Sequence, residues 1–164
     1  MMLKKLSLVA VAILGLTGCA APQSPTKGTK AAEASTRSKR PATTRVQVTI
    51  AGHHLTAQLN RSQPARQLRR RLPATFHFNG MGAGDPEKTS DLQHTLRYQQ
   101  TPSGANPRPG DIAYWSPQPR LVFYWGDVDY YEGIHILGHF DQRKRAIKII
   151  RQQRRPFTVK ISAE

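Results

Sequence analysis

The chain has 164 residues, enough for one ordinary domain with additional segments, and a formal net charge of +15. It contains one cysteine, which excludes an intramolecular disulfide. The positive charge predicts attraction to anionic partners at low ionic strength and says nothing about the fold.

The first residues have the composition of an export signal. Lys4 and Lys5 form a short positive start, and an apolar stretch of about eleven residues runs from Leu6 to Leu16. A membrane-spanning helix needs about 20 apolar residues, so this stretch suits the core of a signal peptide instead. Residues 1–18 are therefore predicted to be a signal peptide.

The signal ends in Leu16-Thr17-Gly18-Cys19, which resembles the lipobox of bacterial lipoproteins. The resemblance implies cleavage before Cys19 and acylation of its sulfur, which makes the membrane a partner through this residue. Two or more acyl chains anchor a protein stably, whereas one is marginal. Ala20 rather than an aspartate follows the cysteine; by resemblance to enterobacterial lipoproteins, this implies the periplasmic face of the outer membrane. The alternative is an ordinary secretory signal with a stray or buried cysteine.

Residues 19–44 are predicted to form a disordered basic tether behind the lipidated cysteine. The segment has one acid, Glu33, and no large apolar residue, so it cannot bury enough surface to offset the entropy of ordering. If flexible, it spans roughly 28 Å root-mean-square. Its Lys and Arg side chains either lie against anionic lipid head groups or belong to a merely soluble spacer.

The folded domain is predicted over residues 45–164, starting with a β-hairpin. Apolar and polar residues alternate over Val46–Ile50 and again over Leu55–Leu59, and Ala51-Gly52 turns the chain between them.

A short basic helix follows the hairpin. Ser62 is a suitable N-cap, Pro64 fits the first turn, and Pro73 ends the helix. Its predicted buried face consists of three residues spaced for one side: Ala65, Leu68 and Leu72.

The remaining pattern is mostly β. A glycine-rich loop is predicted over residues 80–86 and a long Pro/Gly/Asn loop over residues 99–110. The predicted strands are 75–78, 112–115, 121–125, 134–140 and 157–161. A helix over 142–153 is predicted to bury Ala146, Ile147, Ile149 and Ile150. Many short strands with two short helices imply a barrel or a sandwich.

Residues 46–163 carry a series of sequence blocks that resembles the small bacterial cyclophilin-like proteins. The matching blocks are the hairpin, Pro64-Ala65-Arg66, Leu72-Pro73, Glu87-Lys88, Pro109-Gly110-Asp111-Ile112-Ala113-Tyr114, Leu121-Val122-Phe123-Tyr124, Gly126-Asp127 and Gly133-Ile134-His135-Ile136-Leu137-Gly138. The resemblance implies a mainly β fold, a closed cyclophilin-like β-barrel of about eight strands with two short helices.

The resemblance does not extend to the motifs of prolyl isomerases. In the cyclophilin enzymes an arginine within Phe-His-Arg-Val stabilises the twisted imide, and a Gln-Gly-Gly block follows. Here Phe76-His77 is followed by Phe78, and no Gln-Gly-Gly occurs. The main reason to expect isomerase activity is therefore absent, and no catalytic residue is assigned.

A cluster of aromatic residues on neighbouring predicted elements is the candidate ligand site, because Tyr and Trp combine an apolar face with a polar tip. Together with a nearby acid and histidine, these residues are predicted to line a cleft for a peptide or small ligand: Tyr114, Trp115, Tyr124, Trp125, Tyr130, Tyr131, Glu132 and His135. The alternative is that they pack in the core and at the barrel mouth.

The arginines of the first helix are the candidate anion-binding residues: Arg66, Arg69, Arg70 and Arg71. A second basic run covers residues 143–155. Because export disfavours nucleic acid, the partners considered are anionic lipid, an acidic glycolipid or an acidic protein face. The alternative is a solvated basic surface.

No metal or cofactor is predicted. His135 and His139 would lie about 13 Å apart on a straight strand, too far to share one ion. The chain has no nucleophile elbow, and Gly80 to Gly84 lacks the ending of a phosphate loop. The sequence thus favours a non-enzymatic binding module of unidentified ligand, anchored in the cell envelope. The rival hypothesis is a divergent prolyl isomerase or another enzyme that uses the aromatic cleft.

Overall fold

The computed structural model describes residues 43–79, 85–100 and 102–164. The predicted signal peptide, Cys19, nearly all of the predicted tether and the glycines from 80 to 84 lie outside these ranges. No helix within them is long and apolar enough to cross a membrane.

The described part contains ten strands and two helices. In chain order these are β1 Thr44–Ile50, β2 His53–Leu59, α1 Gln63–Arg70, β3 Ala74–Phe78, β4 Glu87–Asp91, β5 Gly104–Ala105, β6 Asp111–Trp115, β7 Arg120–Tyr124, β8 Tyr131–Glu132, β9 Ile134–Phe140, α2 Arg143–Gln152 and β10 Phe157–Ala163.

Eight strands form one antiparallel sheet in the order β3-β10-β1-β2-β9-β6-β7-β4. The sheet curves until its two edge strands meet, where Asn79 and Thr89 form a single antiparallel bridge. The amide of Asn79 donates to the carbonyl of Thr89 at 2.8 Å. The predicted mainly β fold, a barrel of about eight strands with two short helices, is confirmed, and the barrel is nearly closed.

The predicted hairpin is present, with β1 and β2 paired from Thr44 and Leu59 to Ile50 and His53. Because Thr44 pairs with Leu59, the first strand begins one residue before the predicted domain start. Ala51 and Gly52 both have positive φ, as a tight two-residue turn requires.

Both predicted helices are present and bury one side. The Ser62 hydroxyl caps α1 by accepting from the amide of Ala65 at 3.3 Å. Ala65 and Leu68 are buried in the main core, and Leu72 packs against it. In α2 the expected face is buried except at one position: Ile147 is half-buried, because it lies at the side of the stripe formed by Ala146, Ile149 and Ile150.

Strands β6 and β7 are buried on both faces. Their alternate residues Ile112, Tyr114, Leu121 and Phe123 belong to the main core inside the barrel. The alternate residues of β6 and β7 that point to the outer face of the barrel form a second, smaller cluster with one residue of β9. This cluster consists of Ala113, Val122, Tyr124 and Ile134. This second cluster positions the candidate site.

Candidate functional site

The outside cluster borders an apolar cleft of about 300 Å³. Its lining consists of Pro86, Glu87, Trp115, Val122, Tyr124, Val128, Tyr131 and Ile134. This volume is at the lower end of the range of ligand pockets, and a mostly apolar wall with one or two polar groups is typical of such sites.

The wall of the cleft follows from strand alternation. Trp115, Val122 and Tyr124 project from the outer face of β6 and β7, since their neighbours in the chain point into the barrel. Glu87 stands opposite Tyr124 in the β4–β7 ladder, which places its carboxyl group at the same wall.

A two-stranded ribbon forms the rim of the cleft. In it β5 pairs with β8 through Gly104 with Glu132 and Ala105 with Tyr131. A Cβ atom at Gly104 would overlap the backbone of Tyr131, so glycine permits the close approach of the two segments. The predicted loop over residues 99–110 therefore contains a short strand, and that strand holds Tyr131 at the rim.

Glu87 and Tyr124 are the polar groups of the wall. They share a side-chain hydrogen bond, in which the Tyr124 hydroxyl donates to the carboxylate. Burial raises the pKa of the Glu87 carboxyl above its usual value, and the hydrogen bond from Tyr124 offsets part of that rise. Burial, with the adjacent Glu87 carboxylate, also raises the pKa of the Tyr124 hydroxyl. The cleft can therefore offer a hydrogen-bonding carboxyl group within an apolar surround.

Three of the predicted aromatic residues line this cleft: Trp115, Tyr124 and Tyr131. The structure places the others elsewhere. Tyr114 is fully buried in the main core, where its hydroxyl accepts from the amide of Leu96 at 3.3 Å. Tyr130 is 55% exposed, and its hydroxyl lies 2.9 Å from the hydroxyl of Ser103.

His135 belongs to a separate ring stack. Its ring centroid lies 4.3 Å from that of Tyr98 and 6.1 Å from that of Tyr114. Its Nε2 lies 3.2 Å from the Ser116 hydroxyl. Burial lowers the pKa of the His135 imidazole. His135 lines a different, smaller concavity of about 220 Å³ near the start of α1.

Trp125 and Glu132 also lie away from the cleft lining. The Trp125 ring packs against the main core, with the Arg151 guanidinium 5.4 Å from its centroid. Its indole nitrogen is buried without a hydrogen-bond partner in the described part of the chain. Glu132 is exposed on β8.

The four candidate arginines of the first helix fall into two groups. Arg66, Arg69 and Arg70 are exposed along α1. The Arg71 guanidinium instead donates to the carbonyls of His94 and Thr95 at 3.3 and 3.2 Å. It therefore holds the segment after β4 to the end of the helix.

The second basic run is also divided. Arg143 forms an ion pair of 2.8 Å with Asp111, a carboxylate whose side chain is 10% exposed. Lys144, Arg145 and Lys148 are exposed on α2. In the ranges that the structure describes, no group of three or more His, Cys, Asp or Glu side chains is arranged to hold a metal ion.

Sequence reasoning missed five of the residues that line the cleft: Pro86, Glu87, Val122, Val128 and Ile134. Glu87 lies in β4, whose sequence Glu-Lys-Thr-Ser-Asp has no apolar alternation and was not predicted as a strand. The available signal was the matching block Glu87-Lys88, which marked the position without indicating its role.

Solved structures of similar fold are distant in sequence. The solution structure of the hypothetical protein AF2241 from Archaeoglobus fulgidus has a TM-score of 0.56 at 13% identity, covering 77% of this chain and 99% of that chain. The structure of McbB in complex with tryptophan has a TM-score of 0.53 at 13% identity, covering 73% of this chain and 44% of that chain. This chain thus spans less than half of the second protein. Both likenesses show the fold alone.

No curated protein sequence matches the chain. A family model does, over most of the part that forms the barrel: the model described as the cyclophilin-like family matches residues 48–162. The match begins within β1 and ends within β10, so it includes β2 to β9 completely and parts of the two terminal strands. The sequence and the nearly closed barrel agree, and the chain belongs to the cyclophilin-like family.

Proposed function

We propose that the protein is a lipoprotein of the bacterial cell envelope whose cyclophilin-like barrel is a non-enzymatic binding module. The order of Lys4, Lys5, an apolar stretch of signal-peptide length and Leu16-Thr17-Gly18-Cys19 supports the anchor. Ala20 after the cysteine favours the periplasmic face of the outer membrane. A tether then holds the barrel near that surface.

The observation that carries the binding role is the apolar cleft of about 300 Å³ beside Trp115, Tyr124 and Tyr131. It is large enough for one aromatic or branched aliphatic group, and Glu87 offers a hydrogen-bond acceptor at its wall. A peptide side chain or small apolar molecule with a hydrogen-bond donor fits these features.

The alternative function is a divergent prolyl isomerase or another enzyme that uses the same cleft. Arg120 lies beside the cleft, with its guanidinium 5.6 Å from the ring centroid of Trp115, but it does not line the cleft and its Nε pairs with Asp91 at 2.6 Å. The Phe76-His77-Phe78 segment lacks the arginine of the isomerase motif. These features favour binding over isomerisation.

The anchor is tested by mass spectrometry of the protein from its native membrane. The expected result is a chain that begins at an acylated Cys19. In detergent phase separation, the protein should enter the detergent phase and a Cys19→Ser variant should remain in the aqueous phase. An unprocessed start with a bare thiol contradicts the anchor.

The binding role is tested with indole and a proline-containing tetrapeptide as probes, observed by NMR. Tyr131→Ala removes a cleft residue that is 59% exposed, whereas Tyr130→Ala removes its neighbour, 55% exposed and outside the lining. We expect Tyr131→Ala to weaken probe binding about fivefold or more and Tyr130→Ala to leave it unchanged. Isomerisation of the tetrapeptide that disappears in Tyr131→Ala contradicts the non-enzymatic proposal and supports the alternative.

A further inference from the structure

The exposed side of α1 forms a basic surface next to the first described residue of the chain. We call it the α1 face and define it by Arg66, Arg69 and Arg70 with Thr43. The two concavities on this face share Arg66 and Arg69; the larger, of about 760 Å³, is lined by Thr43, Thr44, Arg45, Leu59, Asn60, Arg61, Ala65, Arg66, Arg69 and Glu164.

The arginines of the α1 face have little negative charge around them. Glu164 is the one carboxylate among the described residues that line the two concavities, and it lies 3.5 Å from Arg45. Arg66 donates to the backbone carbonyl of Arg61 at 2.6 Å, an acceptor that carries no net charge. Within the described ranges no acidic side chain forms an ion pair with Arg66, Arg69 or Arg70.

The position of Thr43 connects this surface to the anchor. Residues 20–42 join Cys19 to Thr43, and Thr43 lines the same concavity as Arg66 and Arg69. A chain of this length holds the domain within a few tens of ångströms of its attachment point, which gives an effective concentration of the order of millimolar. Under that condition even a weak attraction keeps the surface occupied.

We infer that the α1 face docks on an anionic phospholipid surface, with the guanidinium groups of Arg66, Arg69 and Arg70 against the lipid phosphates. This inference rests on the proposed membrane anchor and goes beyond it by giving the barrel an orientation. Arginine on a membrane surface gains from negative lipid within a Debye length of about 8 Å, so only the face beside the membrane contributes.

The test uses the chain from residue 19 onward with Cys19→Ser, so that no acyl group contributes. Co-sedimentation is measured with phosphatidylcholine vesicles and with vesicles that are roughly one third phosphatidylglycerol, at about 100 mM salt. The variant Arg66→Glu/Arg69→Glu/Arg70→Glu is compared with Lys144→Glu/Arg145→Glu/Lys148→Glu, which makes the same change in net charge on the exposed side of α2. Both keep the basic tether, and thermal melting confirms that both fold.

We expect the unsubstituted protein to bind the anionic vesicles and not the phosphatidylcholine vesicles. Its affinity for the anionic vesicles should fall about tenfold or more in the α1 variant and change by less than about threefold in the α2 variant. Equal losses in the two variants, undiminished binding of the α1 variant or equal binding to both vesicles overturns the inference.

Polyglutamate serves as an acidic polypeptide probe. If the α1 variant loses polyglutamate binding but keeps vesicle binding, the face is for an acidic protein and the inference is wrong. The acylation state of Cys19 is measured separately, so a failed anchor is distinguished from a failed docking surface.

Discussion

Glu87 and Tyr124 stand opposite each other in the β4–β7 ladder, and the tyrosine hydroxyl donates a hydrogen bond to the carboxylate. The bond is formed at the wall of an apolar cleft, where the charged carboxylate loses hydration. The cleft thus contains a carboxyl group whose ionised form lowers the stability of the fold.

Glu87→Gln should stabilise the protein at neutral pH. Burial raises the folded-state pKa of this carboxyl above its ordinary value of 4.5, so the native state binds more protons between the two values and its stability falls as pH rises through that window. Glutamine stays neutral and can still accept from Tyr124. We expect Tm to rise by a few degrees at pH 7 and by nothing below pH 4.5, in differential scanning calorimetry.

The exposed carboxylate of Glu132 provides the control for that substitution. Glu132→Gln changes the net charge equally and should leave Tm within about a degree at every pH. A stabilisation by Glu87→Gln that is the same at pH 4 and pH 7 contradicts the explanation by burial.

The stability of the protein should fall in mild acid because of His135. Burial lowers its folded-state pKa below the ordinary 6.5, so the unfolded chain takes up more protons between the two values and the folded state loses stability as pH falls. His135→Gln should flatten the dependence of Tm on pH below about 6.5. His53→Gln, at an exposed position of β2, is the control, and an equal flattening there argues against the assignment.

Gly138→Ala should destabilise the barrel strongly. A Cβ atom at Gly138 in β9 would overlap the backbone carbonyl of Gln58 in β2, so the two strands would have to separate. We expect a loss of about 3 kcal/mol in the free energy of unfolding. Gly52→Ala in the hairpin turn meets no atom within 4 Å but keeps a positive φ, and should cost about 1 kcal/mol. Urea denaturation measures both, and a smaller loss at Gly138 than at Gly52 disproves the close approach.

Arg143→Met should destabilise the protein, because it leaves the buried Asp111 carboxylate without its ion-pair partner. Asp111 is 7% exposed, and its other oxygen accepts from the amide of Arg108 at 2.9 Å. Without Arg143 its charge loses the ion-pair partner, and we expect a loss of about 2–3 kcal/mol in the free energy of unfolding. Arg145→Met on the exposed side of α2 should cost less than about 0.5 kcal/mol. Adding Asp111→Asn to Arg143→Met should recover part of the loss, and a further loss there refutes the electrostatic account.

Much of the fold could be predicted because most strands alternate apolar and polar residues. The hairpin of β1 and β2 is the clearest case. Strand β4 could not be predicted in this way, because Lys88 and Thr89 are buried although neither is apolar. Pairing with β7, and not the pattern of β4 itself, places those residues in the barrel wall.

The site was predicted less well than the fold. Of the aromatic cluster, Trp115, Tyr124 and Tyr131 line the cleft, whereas Tyr114 is buried in the main core. Strand alternation explains this division, since Tyr114 and Trp115 are adjacent in β6 and must point to opposite faces. Closure of the whole sheet decides which face of β6 points into the barrel, and the local sequence pattern does not indicate that face.

A single bridge, between Asn79 and Thr89, joins the two edge strands of the barrel, β3 and β4, so this junction is the weakest pairing between neighbouring strands. The other neighbouring strands of the barrel share ladders of three to seven residue pairs, as in β2 with β9 and β1 with β2. Because backbone groups two residues apart point the same way, the amides of Thr75 and His77 face this junction without ladder partners in the described chain. Partial unfolding should begin here, so deuterium should replace these two amide protons well before those of β1.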